Sequence, residues 1–218
     1  LNSDKTKVTA SLPEGSTKAY VLKFETSLDG TVINQSPYRN TATYTNNSKP
    51  SELTASVAVP ESGSLVIKNG SQDATDSAYA KYNIWVNRSQ STLKNVVVDD
   101  TPSDNQIIDE QSIVVNETNV DEQGHMTENT SAPLVLNKDY KVDLTTDPST
   151  GKQELKISFI NQISKAYVIN YRSLINSSKS NDTLNNSVTI TGDNEKQYTE
   201  TKTTNTNVVN NGRSANGK

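Results

Sequence analysis

The sequence predicts an all-β chain built from two-sheet sandwich modules, and three observations predict it. Short segments alternate apolar with polar residues, as half-buried antiparallel strands do. Turn-forming clusters separate them. The pattern of one stretch then recurs further along the chain. The composition agrees: 31% of the 218 residues are hydrophobic. That is lean for one large core and suits thin sandwiches whose strands show alternate residues to the interior.

In chain order, the strand-like segments are Val8 to Leu12, Ala19 to Phe24, Leu65 to Lys68, Tyr82 to Val86 and Val96 to Asp100. Ile113 to Val115, Leu155 to Phe159, Ala166 to Tyr171 and Val188 to Ile190 follow. Leu28-Asp29-Gly30, Asp147 to Gly151 and Gly192-Asp193-Asn194 read as turns. No amphipathic helix longer than a turn or two is expected.

The repeat is carried by Lys18-Ala19-Tyr20-Val21 and Lys165-Ala166-Tyr167-Val168. The same offset takes Val8 to Leu155, Ala10 to Ile157, Leu12 to Phe159 and Phe24 to Tyr171. After the loss of one residue, Tyr38 to Tyr44 falls on Leu184 to Ile190, so Asn40 matches Asn186. Residues 1–60 are therefore expected to be the C-terminal part of a preceding module, 61–211 a complete module, and 212–218 a polar tail or linker. The boundary is placed at Pro60 to Gly63. The chain opens within this pattern and ends in a polar run. It is expected to be a piece of something longer, with any export or wall-sorting segment outside it.

Several functions are disfavoured. A net charge of −4 supplies no basic field for nucleic acid or anionic lipid. No apolar run is long enough for a membrane helix. There is no cysteine to staple an exported fold. His125, the single histidine, lies in a polar stretch with no second histidine to share a metal. The acids Asp99, Asp104, Asp121 and Glu122 lack calcium-loop spacing, so neither a metal nor a cofactor is expected. No nucleophile-elbow motif appears. Asn-x-Ser/Thr triplets such as Asn87-Arg88-Ser89 are expected by chance in a chain this rich in Asn, Ser and Thr. Trp85 falls on the strand face opposite Tyr82, Ile84 and Val86, at a sheet edge or in a binding groove.

Four segments resemble the collagen-binding-type immunoglobulin-like modules of Gram-positive, cell-wall-anchored adhesins, the MSCRAMM-like proteins. They are Leu65 to Lys68, Tyr82 to Asn87, Asn95 to Thr101, and the Lys-Ala-Tyr-Val strand followed by Asn186 in the final strand. The resemblance implies an immunoglobulin-like β-sandwich with Greek-key connections. It also implies a spontaneous amide (isopeptide) bond between Lys68 and Asn186, promoted by Asp100.

Strand parity gives a separate test of these three positions. Lys68 shares a face with Val66, Asp100 with Val96 and Val98, and Asn186 with Leu184, Val188 and Ile190. Each polar residue thus lies on the apolar side of its strand, where an isolated charge is costly. Burial lowers a lysine pKa and raises that of a carboxylic acid. A neutral amine is a nucleophile, and a neutral acid can donate to the amide oxygen. Asp99, on the opposite face, is the competing acid.

The expected role is an adhesion or stalk module on the bacterial cell surface. It would neighbour like modules of the same chain, mature once rather than turn over substrate, and bind neither nucleic acid nor membrane. The alternative is direct capture of a host extracellular-matrix protein such as collagen, of fibrinogen, or of another surface polymer. A glycan-active enzyme is the rival from another class. It requires a carboxylate pair in an aromatic-lined cleft.

Overall fold

The structure, a computed structural model, describes residues 1–28, 32–33, 37–59, 64–177, 179, 181–193 and 197–209. The expected boundary at Pro60 to Gly63 lies outside the described residues, as do Asp29, Gly30 and Asn194 of the expected turns.

Strands dominate. A hairpin comes first, β1 (Tyr38–Asn46) and β2 (Lys49–Val57). Then follow β3 (Val66–Gln72), β4 (Tyr79–Val86), β5 (Lys94–Pro102), β6 (Gln106–Ile108), β7 (Val114–Val120) and β8 (Met126–Pro133). The last five are β9 (Tyr140–Thr146), β10 (Gln153–Phe159), β11 (Ala166–Ile175), β12 (Thr183–Asp193) and β13 (Gln197–Asn207). Among the described residues the helical content is one 3₁₀ turn, Glu110–Ser112.

Two antiparallel sheets face each other. One has the order β13-β12-β5-β10-β9; the other runs β3-β4-β11-β7-β8, with β6 also paired to β11. The chain passes repeatedly from one sheet to the other, which is the two-sheet, immunoglobulin-like architecture the alternation predicts. Parity sets the interior. Tyr82, Ile84 and Val86 from β4, Val96 and Val98 from β5, Leu155 and Ile157 from β10, and Leu184, Val188 and Ile190 from β12 are all buried. Trp85 points to the outer face, as parity requires, and is half-buried.

Strands β8, β9 and β13 were not legible in the sequence. Their residues are mostly polar and exposed, as edge strands and their neighbours tolerate. The opposite error occurs near the start. Val8 to Leu12 and Ala19 to Phe24, expected as strands, form none and are exposed. The reason is topological. Their repeat counterparts are β10 and β11, which pair with β5, β9, β4 and β7. Residues 1–57 contain no counterpart of those partners. The counterparts of β12 and β13 are β1 and β2, which pair with each other as β12 and β13 do. They form a hairpin turned by Asn47 and Ser48 at φ 47° and 64°, the left-handed conformations a two-residue hairpin loop requires. The segment touches the sandwich through Ile33, whose N–H donates to Ser91 Oγ at 2.8 Å.

Candidate functional site

The site lies between the sheets. Lys68 comes from β3 at the edge of one sheet, opposite Ile84 of β4. Asp100 comes from β5 of the other sheet, opposite Val188 of β12. Asn186 is two residues before Val188, on the same inward face. All three are buried, with the Asp100 and Asn186 residues each 1% exposed. The sequence placed Asn186 in the final strand. It lies instead in β12, the penultimate one, because the polar β13 follows it.

The structure brings the three together. Lys68 Nζ donates to Asp100 Oδ1 at 2.8 Å and Oδ2 at 3.0 Å. Asp100 Oδ2 also accepts the Tyr171 hydroxyl, and Asn186 Nδ2 donates to that same hydroxyl oxygen. Asn186 Oδ1 is buried with no hydrogen-bond partner. Lys68 Nζ sits 4.9 Å from the Tyr82 ring centroid and 5.5 Å from that of Tyr171. The two rings stack at 5.2 Å, closing the ammonium off from water. Tyr82 donates its hydroxyl to Gln106 Oε1 at 2.8 Å, so that buried phenol is satisfied.

Burial governs the electrostatics. Desolvation pushes the Lys68 pKa down, opposed by Asp100 beside it. Desolvation pushes the Asp100 pKa up, opposed first by Lys68 and then by the Tyr171 hydrogen bond. Both shifts favour the neutral amine and the neutral acid. Desolvation, with Asp100 adding to it, holds the Tyr171 phenol protonated far above its usual range. Such a pocket can supply a nucleophilic nitrogen, an amide carbon and a proton carrier within one buried cluster. Asp99 lies on the outer face, with Lys156 Nζ at 3.9 Å. Burial and Glu154 raise its pKa to about 6, yet it faces away from Lys68.

Tyr171 and Tyr82 escaped the sequence reading as site residues. The sequence offers Tyr171 as the end of the strand Ala166 to Tyr171 and the match of Phe24, an aromatic core position. Its inward parity with Ile169 was the available signal, and an apolar reading of the ring hid the hydroxyl.

The remaining candidates lie apart. His125 Nδ1 and Asp121 Oδ2 are 2.9 Å apart in an exposed loop. Among the described residues no group of three or more His, Cys, Asp or Glu side chains could hold a metal. Among them, too, no helix is long and apolar enough to cross a membrane. Asn87 is fully buried, and its Nδ2 donates to the carbonyls of Ser91 and Lys165, so it offers no acceptor to a glycan. One cavity of about 290 Å³ contains Glu117, Asp139, Phe159 and Tyr167. Both of its carboxylates are engaged: Lys165 Nζ donates to Glu117 at 2.8 Å, and the Val135 N–H to Asp139 at 2.7 Å. A second, also about 290 Å³, lies along β4 and β11 and includes Asn83, Glu128, Asn170 and Arg172. There Asn83 donates to Asn170 at 2.6 Å, and Asn170 and Asn116 both donate to Glu128, at 2.7 and 2.6 Å.

Known proteins resemble this arrangement of strands. The collagen-binding domain from a Staphylococcus aureus adhesin is 15% identical, with 67% of this chain and 99% of that chain covered and a TM-score of 0.48. The collagen-binding subdomain of the Enterococcus faecalis surface protein ACE is 16% identical, with 67% and 97% covered and a TM-score of 0.47. The Enterococcus faecalis MSCRAMM ACE, which binds its ligands by the collagen hug model, is 17% identical, with 82% and 62% covered and a TM-score of 0.51. No curated protein matches the sequence. The family model for the collagen binding domain matches residues 63–211. This span covers most of the chain and contains the whole sandwich with its buried lysine, aspartate and asparagine, so the chain belongs to the collagen-binding domain family.

Proposed function

We propose that this chain is an adhesion or stalk module of a Gram-positive bacterial surface protein, matured by an autocatalytic amide bond between Lys68 and Asn186. The observation that carries the reading is the buried cluster. Lys68 lies in one sheet, Asp100 and Asn186 in the other, and water is excluded around them. A salt bridge alone is a poor reason to keep a lysine there, because its desolvation offsets much of the Coulomb gain. Asp100 takes a proton from Lys68. The freed amine attacks Asn186 Cγ, and ammonia leaves. The product joins β3 to β12 and hence one sheet to the other. The event happens once per molecule, so the module matures without turning over a substrate.

Intact mass tests this directly. The wild-type chain is expected to be lighter than its sequence by one ammonia, and Lys68→Ala, Asp100→Ala and Asn186→Ala are expected at full mass. A wild type at full mass sinks the reading. Equal bond formation in Asp100→Ala would show that the acid is misassigned.

A second reading, direct ligand capture, has its own support. Asn83, Asn170 and Glu128 line a groove along β4 and β11, Asn116 holds Glu128 from β7, and Trp85 lies on the outer face of β4 with Asn83. Amides and an aromatic on a shallow surface suit a polypeptide such as collagen, the ligand that the family description names. Binding of the wild type to immobilised collagen, weakened by Trp85→Ala, is the expected result. No binding at tens of micromolar chain would leave the spacer role alone.

A further inference from the structure

We propose that Tyr171 is the proton relay of the Lys68–Asn186 condensation: it hands its phenolic proton to the departing Asn186 nitrogen and takes the Asp100 proton in return. This rests on the amide-bond reading above and adds a catalytic residue to it. The motivating observation is the position of one oxygen. The Tyr171 hydroxyl donates to Asp100 Oδ2 and accepts from Asn186 Nδ2, so it bridges the acid and the leaving nitrogen. Asp100 meanwhile holds Lys68 Nζ through both carboxylate oxygens. The one acid must serve two nitrogens, and the hydroxyl extends its reach to the second.

The protons balance. The reaction starts from neutral Lys68 and protonated Asp100. The Nζ lone pair forms the new bond to Asn186 Cγ. Tyr171 transfers its proton to Nδ2, Asp100 transfers its own to the Tyr171 oxygen, and Nζ gives one of its two protons to Asp100. The Cγ–Nδ2 bond breaks and ammonia departs. Tyr171 and Asp100 end as they began, and the amide keeps one N–H. The phenol holds its proton at the outset, since desolvation and Asp100 both favour the neutral form.

The relay differs from an expectation drawn from the sequence, in which the Asp100 proton goes to the amide oxygen. In the structure the hydroxyl faces the amide nitrogen, and Oδ1 has no partner. Assistance to the leaving group is therefore the role the geometry supports.

The test follows bond formation over time in the full chain. Protein is made in a cell-free system, synthesis is stopped, and aliquots quenched in acid are weighed intact. Tyr171→Phe keeps the ring that stacks on Tyr82 and removes the relay. It is expected to slow ammonia loss about a hundredfold, the scale of a lost general acid. Tyr140→Phe removes a hydroxyl on β9, outside the cluster, and is expected to react at the wild-type rate. If a folded Tyr171→Phe chain loses ammonia as fast as wild type, the relay is wrong while the amide bond stands. If the wild type never loses ammonia, the bond and the relay fall together. Should Tyr171→Phe fail to fold, 3,5-difluorotyrosine at position 171 retains the hydroxyl and makes it more acidic. A changed rate then supports the relay, and an unchanged rate overturns it.

Discussion

Asn186→Ala isolates the stabilising effect of the bond, because it leaves the Lys68–Asp100 pair intact. Lys68 and Asn186 close a loop of roughly 120 residues, and constraining such a loop in the unfolded chain is worth about 5 kcal/mol by analogy with a disulfide. The local cost of the truncation is small. In the wild type that has lost ammonia the Nδ2 hydrogen bond to Tyr171 is already gone, and Oδ1 makes none, so little is lost there. At about 2 to 4 °C per kcal/mol for a domain of this size, the variant should melt roughly 10 to 20 °C below wild type. The assay is calorimetry at neutral pH, with intact mass first establishing that the wild type has lost ammonia and the variant has not. Melting points within about 4 °C of each other, in samples so verified, would refute the loop-entropy reasoning. The bond would then be enthalpically strained, or the unfolded chain already compact.

Four further outcomes are expected. Asp100→Ala should be less stable than Asn186→Ala by about 3 to 5 kcal/mol near neutral pH, since both lack the cross-link but only Asp100→Ala leaves Lys68 buried without its counter-ion; denaturant midpoints measure the gap. Gly70→Ala should cost about 1 to 3 kcal/mol, because a Cβ there would lie 2.6 Å from the Tyr82 ring and 2.9 Å from Thr206 Oγ1. By displacing Tyr82 it should also slow ammonia loss. Asp147 accepts from the N–H and hydroxyl of Ser149, which lowers its pKa to about 2. Its contribution is therefore present above the ordinary carboxylate value and lost as pH falls through about 2. Asp147→Asn should melt below wild type at pH 7, with the gap closing across that acid window. Finally, we propose that residues 1–60 are the end of a separate module, so a chain beginning at Ser64 should unfold cooperatively with nearly the wild-type midpoint. Loss of its cooperative transition would show that the segment belongs to this sandwich.

Much of this was legible because a sandwich writes its interior with a period of two. Val66, Val96, Val98, Leu184 and Val188 marked the inward faces, and the same count put Lys68, Asp100 and Asn186 among them. Where the period carried no apolar residues, the reading failed. β13 displays a polar run, and β8 reads Met-Thr-Glu-Asn-Thr-Ser-Ala-Pro. The reverse failure at Val8 to Leu12 has a different origin, since a strand pattern states a propensity but the partner must also be present. The site's fourth member was hidden because Tyr171 is both core ring and polar hydroxyl, and periodicity reports only the first.

The position of β13 has a mechanical consequence. Its ladder partner is β12, and it follows Asn186 in the chain, outside the loop that the proposed bond encloses. A pull along the chain would meet strands of two kinds. Everything between Lys68 and Asn186 would be bypassed by the covalent link and feel no load. On the C-terminal side β13 and the β12 residues after Asn186 would stand in the force path, and β13, at the sheet edge, could unzip from β12 one ladder rung at a time. Its 11 residues would be released, roughly 35 to 40 Å of extension at the reach of an extended chain. The module would then act as a tether with a short, recoverable slack, lengthening under a sudden tug and re-pairing when it ends, while the core and its linkage stay folded.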